Sequence, residues 1–160
     1  MLLALLMVAA PIAAQKQGPW LEMQTGPMFL HESGRRGFGT GPMMRFDVGM
    51  ALSERTAAEL WLQGSLENAP LSAPGDRAIV GGGVAGRLRV WAFNDKLALW
   101  GRAGVGLLAA DRLTGPSAFG GAVLMFQPFV TRFTLGLEVD ALAGRSSFGF
   151  AVLPSLRCML

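Results

Sequence analysis

Apolar and polar residues alternate along eight separate stretches of this chain, and that period-2 pattern leaves few folds open to it. The stretches are residues 20–31, 38–52, 57–66, 78–93, 97–109, 119–130, 133–143 and 148–160. Successive side chains of a strand point to opposite faces, so each stretch describes a strand with one apolar and one polar side. Sorted by parity, one face carries Leu21, Met23, Phe29, Met44, Phe46, Val48, Met50, Leu60, Leu62, Val80, Val84, Leu88 and Val90. It continues with Leu97, Leu99, Val105, Leu107, Leu124, Phe126, Val130, Leu135, Leu137, Val139, Phe148, Phe150, Val152, Leu156 and Leu160, and no charge falls on it. The opposite face holds Glu22, Arg45, Asp47, Glu59, Arg87, Arg89, Arg102, Glu138, Asp140 and Arg157, five arginines against five carboxylates. Small residues such as Gly49, Gly81, Gly83, Gly104, Gly106 and Gly136 lie between them.

Composition narrows the choice further. The 160 residues are 51% hydrophobic and only 16% charged, where a soluble domain carries about a quarter charged residues. Part of the surface is therefore expected to face something other than water. The apolar content excludes a disordered chain. A helical membrane bundle needs runs of about 18 apolar residues, and none exists beyond residues 1–14. The 22 glycines and 9 prolines oppose long helices. The single Cys158 precludes an intramolecular disulfide. A net charge of +3 permits anionic partners such as phosphate headgroups. No basic run with interleaved aromatics points to nucleic acid.

Residues 1–14, MLLALLMVAAPIAA, read as a signal peptide: an apolar run of the right length followed by small residues. Cleavage after Ala14 would leave residues 15–160 as one domain; a short anchor or a buried strand is the alternative. The joints between strands alternate in length. Short ones fall at residues 53–56, 94–96 and 131–132, and mostly longer Gly/Ser/Pro-rich ones at 32–37, 67–77, 108–118 and 144–147. Short turns on one side and longer loops on the other characterise outer-membrane barrels, and an even strand count puts both termini on the short-turn side.

Two barrels satisfy this pattern. A water-soluble one would gather the aliphatics inside and send ten charges to solvent. The inverted one turns the aliphatics to lipid and encloses the charges. An eight-stranded barrel has an interior just wide enough for side chains to fill, and glycines there leave room for long arginines and glutamates. Enclosed charges persist only when paired, which the 5:5 balance supplies. Lipid outside demands that every backbone group be paired, as a closed barrel achieves. The expected architecture is thus an all-β, eight-stranded antiparallel up-and-down transmembrane β-barrel. Trp20, Trp91, Trp100 and the phenylalanines are expected to form its aromatic girdles, since there is no tyrosine. Bulges or local fraying are expected at Pro27, Pro42, Pro128 and Pro154, each of which lacks a ladder donor.

With these features the chain, from Trp20 to Leu160, resembles the small eight-stranded outer-membrane barrels of Gram-negative bacteria, the OmpA-transmembrane/OmpX type. The final segment FGFAVLPSLRCML is similar to the C-terminal strand by which that family engages the barrel assembly machinery, although it ends in Leu160 where the family most often ends in Phe. The resemblance implies a monomer in the cell outer membrane, in contact with its lipid and lipopolysaccharide, without nucleic acid or cofactor.

Motifs for other chemistry are weak. Residues 81–86, GGGVAG, formally match a dinucleotide fingerprint, but a strand pattern follows where a helix is required. His31 is the only histidine and stands beside Glu32. A lipid A palmitoyltransferase built on such a barrel uses a first-loop His with an Asp and a Ser, which here would fall to Asp76 and Ser72; a solvated loop histidine is the simpler reading. A deacylase of this class needs a His near the last strands, where none exists. One His and one Cys give no metal-ligand spacing. Glu22, Glu59, Glu138 and Asp140, sharing a face with arginines, read as ion-pair partners rather than as catalytic acids. Arg35, Arg36, Arg77, Arg112 and Arg145 fall in or near the longer loops, together with Glu32, Glu67, Asp76 and Asp111, as solvated charges or contacts to lipopolysaccharide phosphates. The expected role is non-enzymatic, structural or surface-interacting. A narrow solute channel and a lipid A-modifying enzyme are the alternatives.

Overall fold

Each alternating stretch forms one strand of a closed barrel in the computed structural model, which describes residues 18–34, 36–68, 76–94, 96–110, 114–128 and 132–160. The signal-peptide reading of residues 1–14 lies outside the described residues. The strands are β1 (Pro19–Glu32), β2 (Gly39–Ala51), β3 (Thr56–Asn68), β4 (Asp76–Ala92), β5 (Leu97–Ala109), β6 (Gly115–Phe126), β7 (Phe133–Gly144) and β8 (Ser147–Met159). Every strand pairs antiparallel with its sequence neighbour, and β8 returns to β1 to close the cylinder. Closure removes sheet edges and so satisfies the backbone without water.

The face assignment holds. Leu21, Met44, Phe46, Leu60, Leu62, Val84, Leu88, Val105, Leu107, Leu135, Leu137 and Val139 are exposed on the exterior. Glu22, Arg45, Asp47, Glu138 and Asp140 are fully enclosed, at 0% exposure. Among the described residues no charged side chain within a strand is exposed. An exterior this apolar around a charged interior is matched to hydrocarbon, and the water-soluble alternative is excluded by its own geometry.

Local hydrogen bonds explain the tight turns. Between β2 and β3, the Ser53 hydroxyl accepts from the backbone N–H of Arg55 and Thr56 at 3.2 and 3.1 Å. Between β4 and β5, Asn94 Oδ1 accepts from the N–H groups of Lys96 and Leu97 at 2.9 and 2.8 Å, the Asx geometry that makes Asn a turn residue. At the same end of the barrel the N–H of Leu160 donates to the carbonyl of Pro19 at 3.0 Å, tying the last residue to the first strand.

Three expectations need correction. β6 lies earlier than its alternation suggested, from Gly115 to Phe126 rather than 119–130. Pro128 ends the ladder on one side, whereas Pro116 is accommodated beyond the last β7 partner of the strand, the Ser117–Gly144 pair. The prolines do not produce bulges. Pro27 and Pro42 face each other across β1 and β2 without a register shift. Between β1 and β8 the ladder lapses from Thr25 to Pro27, opposite residues 152–154, and resumes in the same register, the local fraying expected at Pro27 and Pro154. The single register shift within these ladders is proline-free, between Arg89 and Trp91 on β4. One extra residue there turns both Val90 and Trp91 outward, at 63% and 59% exposure, as a bulge re-aims side chains. Finally, Trp91 alone of the three expected girdle tryptophans is external, stacked on Phe93 with centroids 5.6 Å apart. Trp20 and Trp100 are buried in the lumen, because both fall on the inward parity of their strands.

Leu137→Arg, at mid-strand on the exterior, is expected to destabilise the folded barrel by about 2–4 kcal/mol. Urea unfolding in lipid vesicles measures it, and an unchanged midpoint would contradict the lipid-facing assignment.

Candidate functional site in the lumen

The interior is layered along the barrel axis. Trp20, Trp100, Val123 and Met125 fill the end nearest the termini, with Ala57 beside them. A charged belt follows. Beyond it Met28, Leu30, Met43, Ile79 and Leu153 form an apolar layer, against which Leu108 and Leu142 pack. At the loop end Arg77 pairs with both Glu32 and Glu67.

In the charged belt Arg102 is the hub. Its Nε pairs with Glu59, its Nη1 with Glu138 at 2.5 Å and its Nη2 with Asp47 at 2.8 Å. Arg87 reaches Glu59 at 2.7 Å and Glu22 at 3.0 Å. Arg157 holds the same Glu22 at 2.9 Å, while Arg45 holds Glu138 at 2.8 Å and Asp140 at 2.6 Å. The ladder itself places Arg87 opposite Arg102 and Glu22 opposite Asp47, like-charge neighbours that repel. Opposite charges face each other in the ladder at Glu22 and Arg157, and each carboxylate also meets a guanidinium from a non-adjacent strand across the lumen. β6 contributes no charge. Its Phe119 ring lies 4.4 Å from the Arg45 guanidinium and 4.9 Å from that of Arg102, a cation–π contact that strengthens where water is excluded. A Cβ at Gly121 on the same strand would collide with the Asp140 carboxylate, so only glycine leaves that group its place.

Nine of the ten expected residues meet in this belt: Glu22, Arg45, Asp47, Glu59, Arg87, Arg102, Glu138, Asp140 and Arg157. Arg89 does not join them. It is half-buried next to the β4 bulge, its guanidinium 5.9 Å from the Trp100 ring. The belt thus sets four arginines against five carboxylates instead of the expected balance. Gln24, which charge counting passed over, is a further member: its amide donates to Asp47 at 2.8 Å and to Glu138 at 3.1 Å. Its position two residues after Glu22 on an alternating strand was the available signal.

The loop-end cluster also departs from expectation. Glu32 and Glu67 are buried, at 8% and 1% exposure, and bind Arg77 rather than standing in solvent. Arg36 and Arg145 are exposed; Arg35, Ser72, Asp111 and Arg112 lie outside the described residues, as does the side chain of Asp76. His31 belongs to β1, not to a loop, and faces outward, while Glu32 faces the lumen, so the two are not brought together. The His31 Nδ1–H donates to the carbonyl of Gly37 at 2.8 Å. The glycines of residues 81–86 lie on β4 without a following helix, and a Cβ at Gly83 would strike the Val105 carbonyl of the adjacent strand.

Two small cavities lie among the described residues of the lumen. A cavity of about 20 Å³ lies against Met28, Trp61, Phe119 and Leu142. A second of about 20 Å³ lies against Trp20, Trp100 and Arg157. Each has room for about one water.

No protein-family profile matches the sequence, and no curated protein matches it by sequence. Solved structures do match the fold. Neisserial surface protein A (NspA) aligns with a TM-score of 0.70 at 9% identity, over 89% of this chain and 97% of that one. Ail, the attachment invasion locus protein of Yersinia pestis, aligns at 0.57 and 14% identity, over 88% and 99%. OprG, an outer membrane protein of Pseudomonas aeruginosa, aligns at 0.56 and 8% identity, over 92% and 100%. The shared architecture is the closed eight-stranded barrel of the outer-membrane class. With a lipid-matched exterior and a charged, filled interior, the chain has the outer membrane as its location.

Removing the hub separates it from its neighbour. Arg102→Met leaves Glu59, Glu138 and Asp47 short of a cation and is expected to cost about 3–5 kcal/mol. Arg89→Met, outside the belt, is expected to cost under about 1 kcal/mol. Paired unfolding curves in micelles distinguish them, and equal losses would contradict the network described.

Proposed function

We propose that this protein is a non-enzymatic structural or surface-interaction component of the outer membrane, a monomeric barrel that holds its loops at the cell surface around a plugged lumen. The observation that carries this reading is the belt of cross-lumen ion pairs between two apolar layers. A solute channel needs a continuous wet path, and the buried Met28, Met43, Ile79 and Leu153 across the bore argue against one. A lipid A-modifying enzyme needs a nucleophile and base within hydrogen-bond reach. His31 instead spends Nδ1 on the Gly37 carbonyl and lies on the opposite face from Glu32.

The outer-leaflet lipid and lipopolysaccharide are the partners of the exterior. β8, apolar at alternate positions from Phe148 to Leu156, is the strand the assembly machinery would engage. Ail is named for attachment and invasion; its likeness in fold supports a surface-interaction role for the loops.

Planar-bilayer recordings of the refolded protein are expected to show no stable single-channel steps. Discrete, reproducible steps would sink the plug and favour the channel.

A further inference from the structure

Aromatic side chains are unevenly placed at the loop end of the exterior. Phe29 on β1 stacks on Phe150 of β8 with centroids 4.6 Å apart. His31 packs against Phe148 at 4.9 Å and Phe38 at 5.5 Å. Phe38 also meets Phe148 edge-on at 6.0 Å, so the five rings form one continuous cluster spanning β8, β1 and the start of β2. At the same level the outward residues of the other strands are aliphatic or small: Leu66, Val80, Leu107, Ala118 and Ala143. An aromatic girdle normally runs round a barrel at each interface. Here, among the described residues, the loop-end girdle is concentrated in one sector.

Charge follows the same sector. Above the cluster, the turns after β1 and after β7 are joined by a hydrogen bond of 2.8 Å from the Ser33 N–H to the Ser146 carbonyl. Among the described residues of these turns, Arg36 and Arg145 are exposed arginines. Glu32, the nearest acid in sequence, points into the lumen and is held by Arg77. The described residues of both turns contain no carboxylate. The Arg145 stem leans toward β6, where a Cβ at Gly115 would lie 3.7 Å from it. With strands about 4.8 Å apart, the two turns are separated by about 10 Å.

We propose that this sector docks one phosphorylated lipid of the outer leaflet, its acyl chains lying along the phenylalanine cluster and its phosphates received by Arg36 and Arg145. The assignment rests on the outer-membrane reading and adds to it a place and a head-group chemistry. Charge complementarity selects the occupant. Guanidinium groups donate bidentately to phosphate oxygens, and an apolar aromatic strip below the turns that carry them suits a molecule that joins phosphate to hydrocarbon. The His31–Gly37 hydrogen bond ties the Gly37 backbone, next to Arg36, to the aromatic strip.

Native mass spectrometry of the refolded protein in detergent micelles tests this, with bisphosphorylated lipid A as probe and its phosphate-free analogue as comparison. The wild type is expected to retain one lipid A and little of the analogue. The double variant Arg36→Ala/Arg145→Ala is expected to lose retention about tenfold, and Arg55→Ala/Arg132→Ala, at the opposite rim, to lose none. Phe38→Ala/Phe148→Ala should weaken both probes together. Heat-modifiable electrophoretic mobility confirms folding of each variant; the arginine pair lies in turns and keeps the test decisive if the phenylalanine pair fails to fold. Equal retention of both probes, unchanged retention in the arginine variant, or full competition by inorganic pyrophosphate would overturn the docking site. Vesicle insertion measured by protease protection fails only if the outer-membrane reading itself is wrong.

Discussion

Neutralising charge in a space that water barely enters is the condition on which this barrel stands. A lipid-facing exterior forces closure, closure of eight strands leaves a narrow bore, and a narrow bore holding arginines and carboxylates is stable only when each finds its counterpart. The belt around Arg102 meets that demand with partners from seven of the eight strands. The missing strand, β6, supplies a ring for the guanidinium groups and a glycine for the carboxylate. The apolar layers on either side keep water away from the belt, which strengthens each ion pair and raises the penalty for leaving one unmade.

The same condition explains what the sequence discloses and what it hides. Parity alone separates the two faces, because a strand has a strict period of 2. The lipid-facing row from Leu21 to Leu156 and the inward charges were therefore legible one strand at a time. The identity of the partners was not. Arg102 meets Asp47, 55 residues away, and Glu138, 36 away, contacts fixed by the stagger of the whole cylinder. Counting charges on a face enrolled Arg89 and passed over Gln24, since a formal charge says nothing about depth along the axis. The β4 bulge defeated parity locally, and the tryptophans were misread because an aromatic on a membrane protein suggests the interface while Trp20 and Trp100 obey their strand.

Arg77, Glu32 and Glu67 illustrate a different difficulty. Each sits at a strand end, where sequence cannot say whether a charged residue continues the inward row or leaves with the loop. The structure continues the row. A second, smaller ion cluster thereby lies at the loop end of the bore, and the exposed turns near His31 and Phe148 are left with Arg36 and Arg145.

One consequence concerns the order of assembly. Glu22 and Arg157 come from the first and last strands, 135 residues apart, and they touch across the seam where the cylinder shuts. Their bond exists only after every intervening strand has taken its place. Until then Glu22 lacks one of its two guanidinium partners. The electrostatic reward of the interior is thus withheld from partial barrels and granted at completion, a chemical checkpoint written into the two ends of the chain.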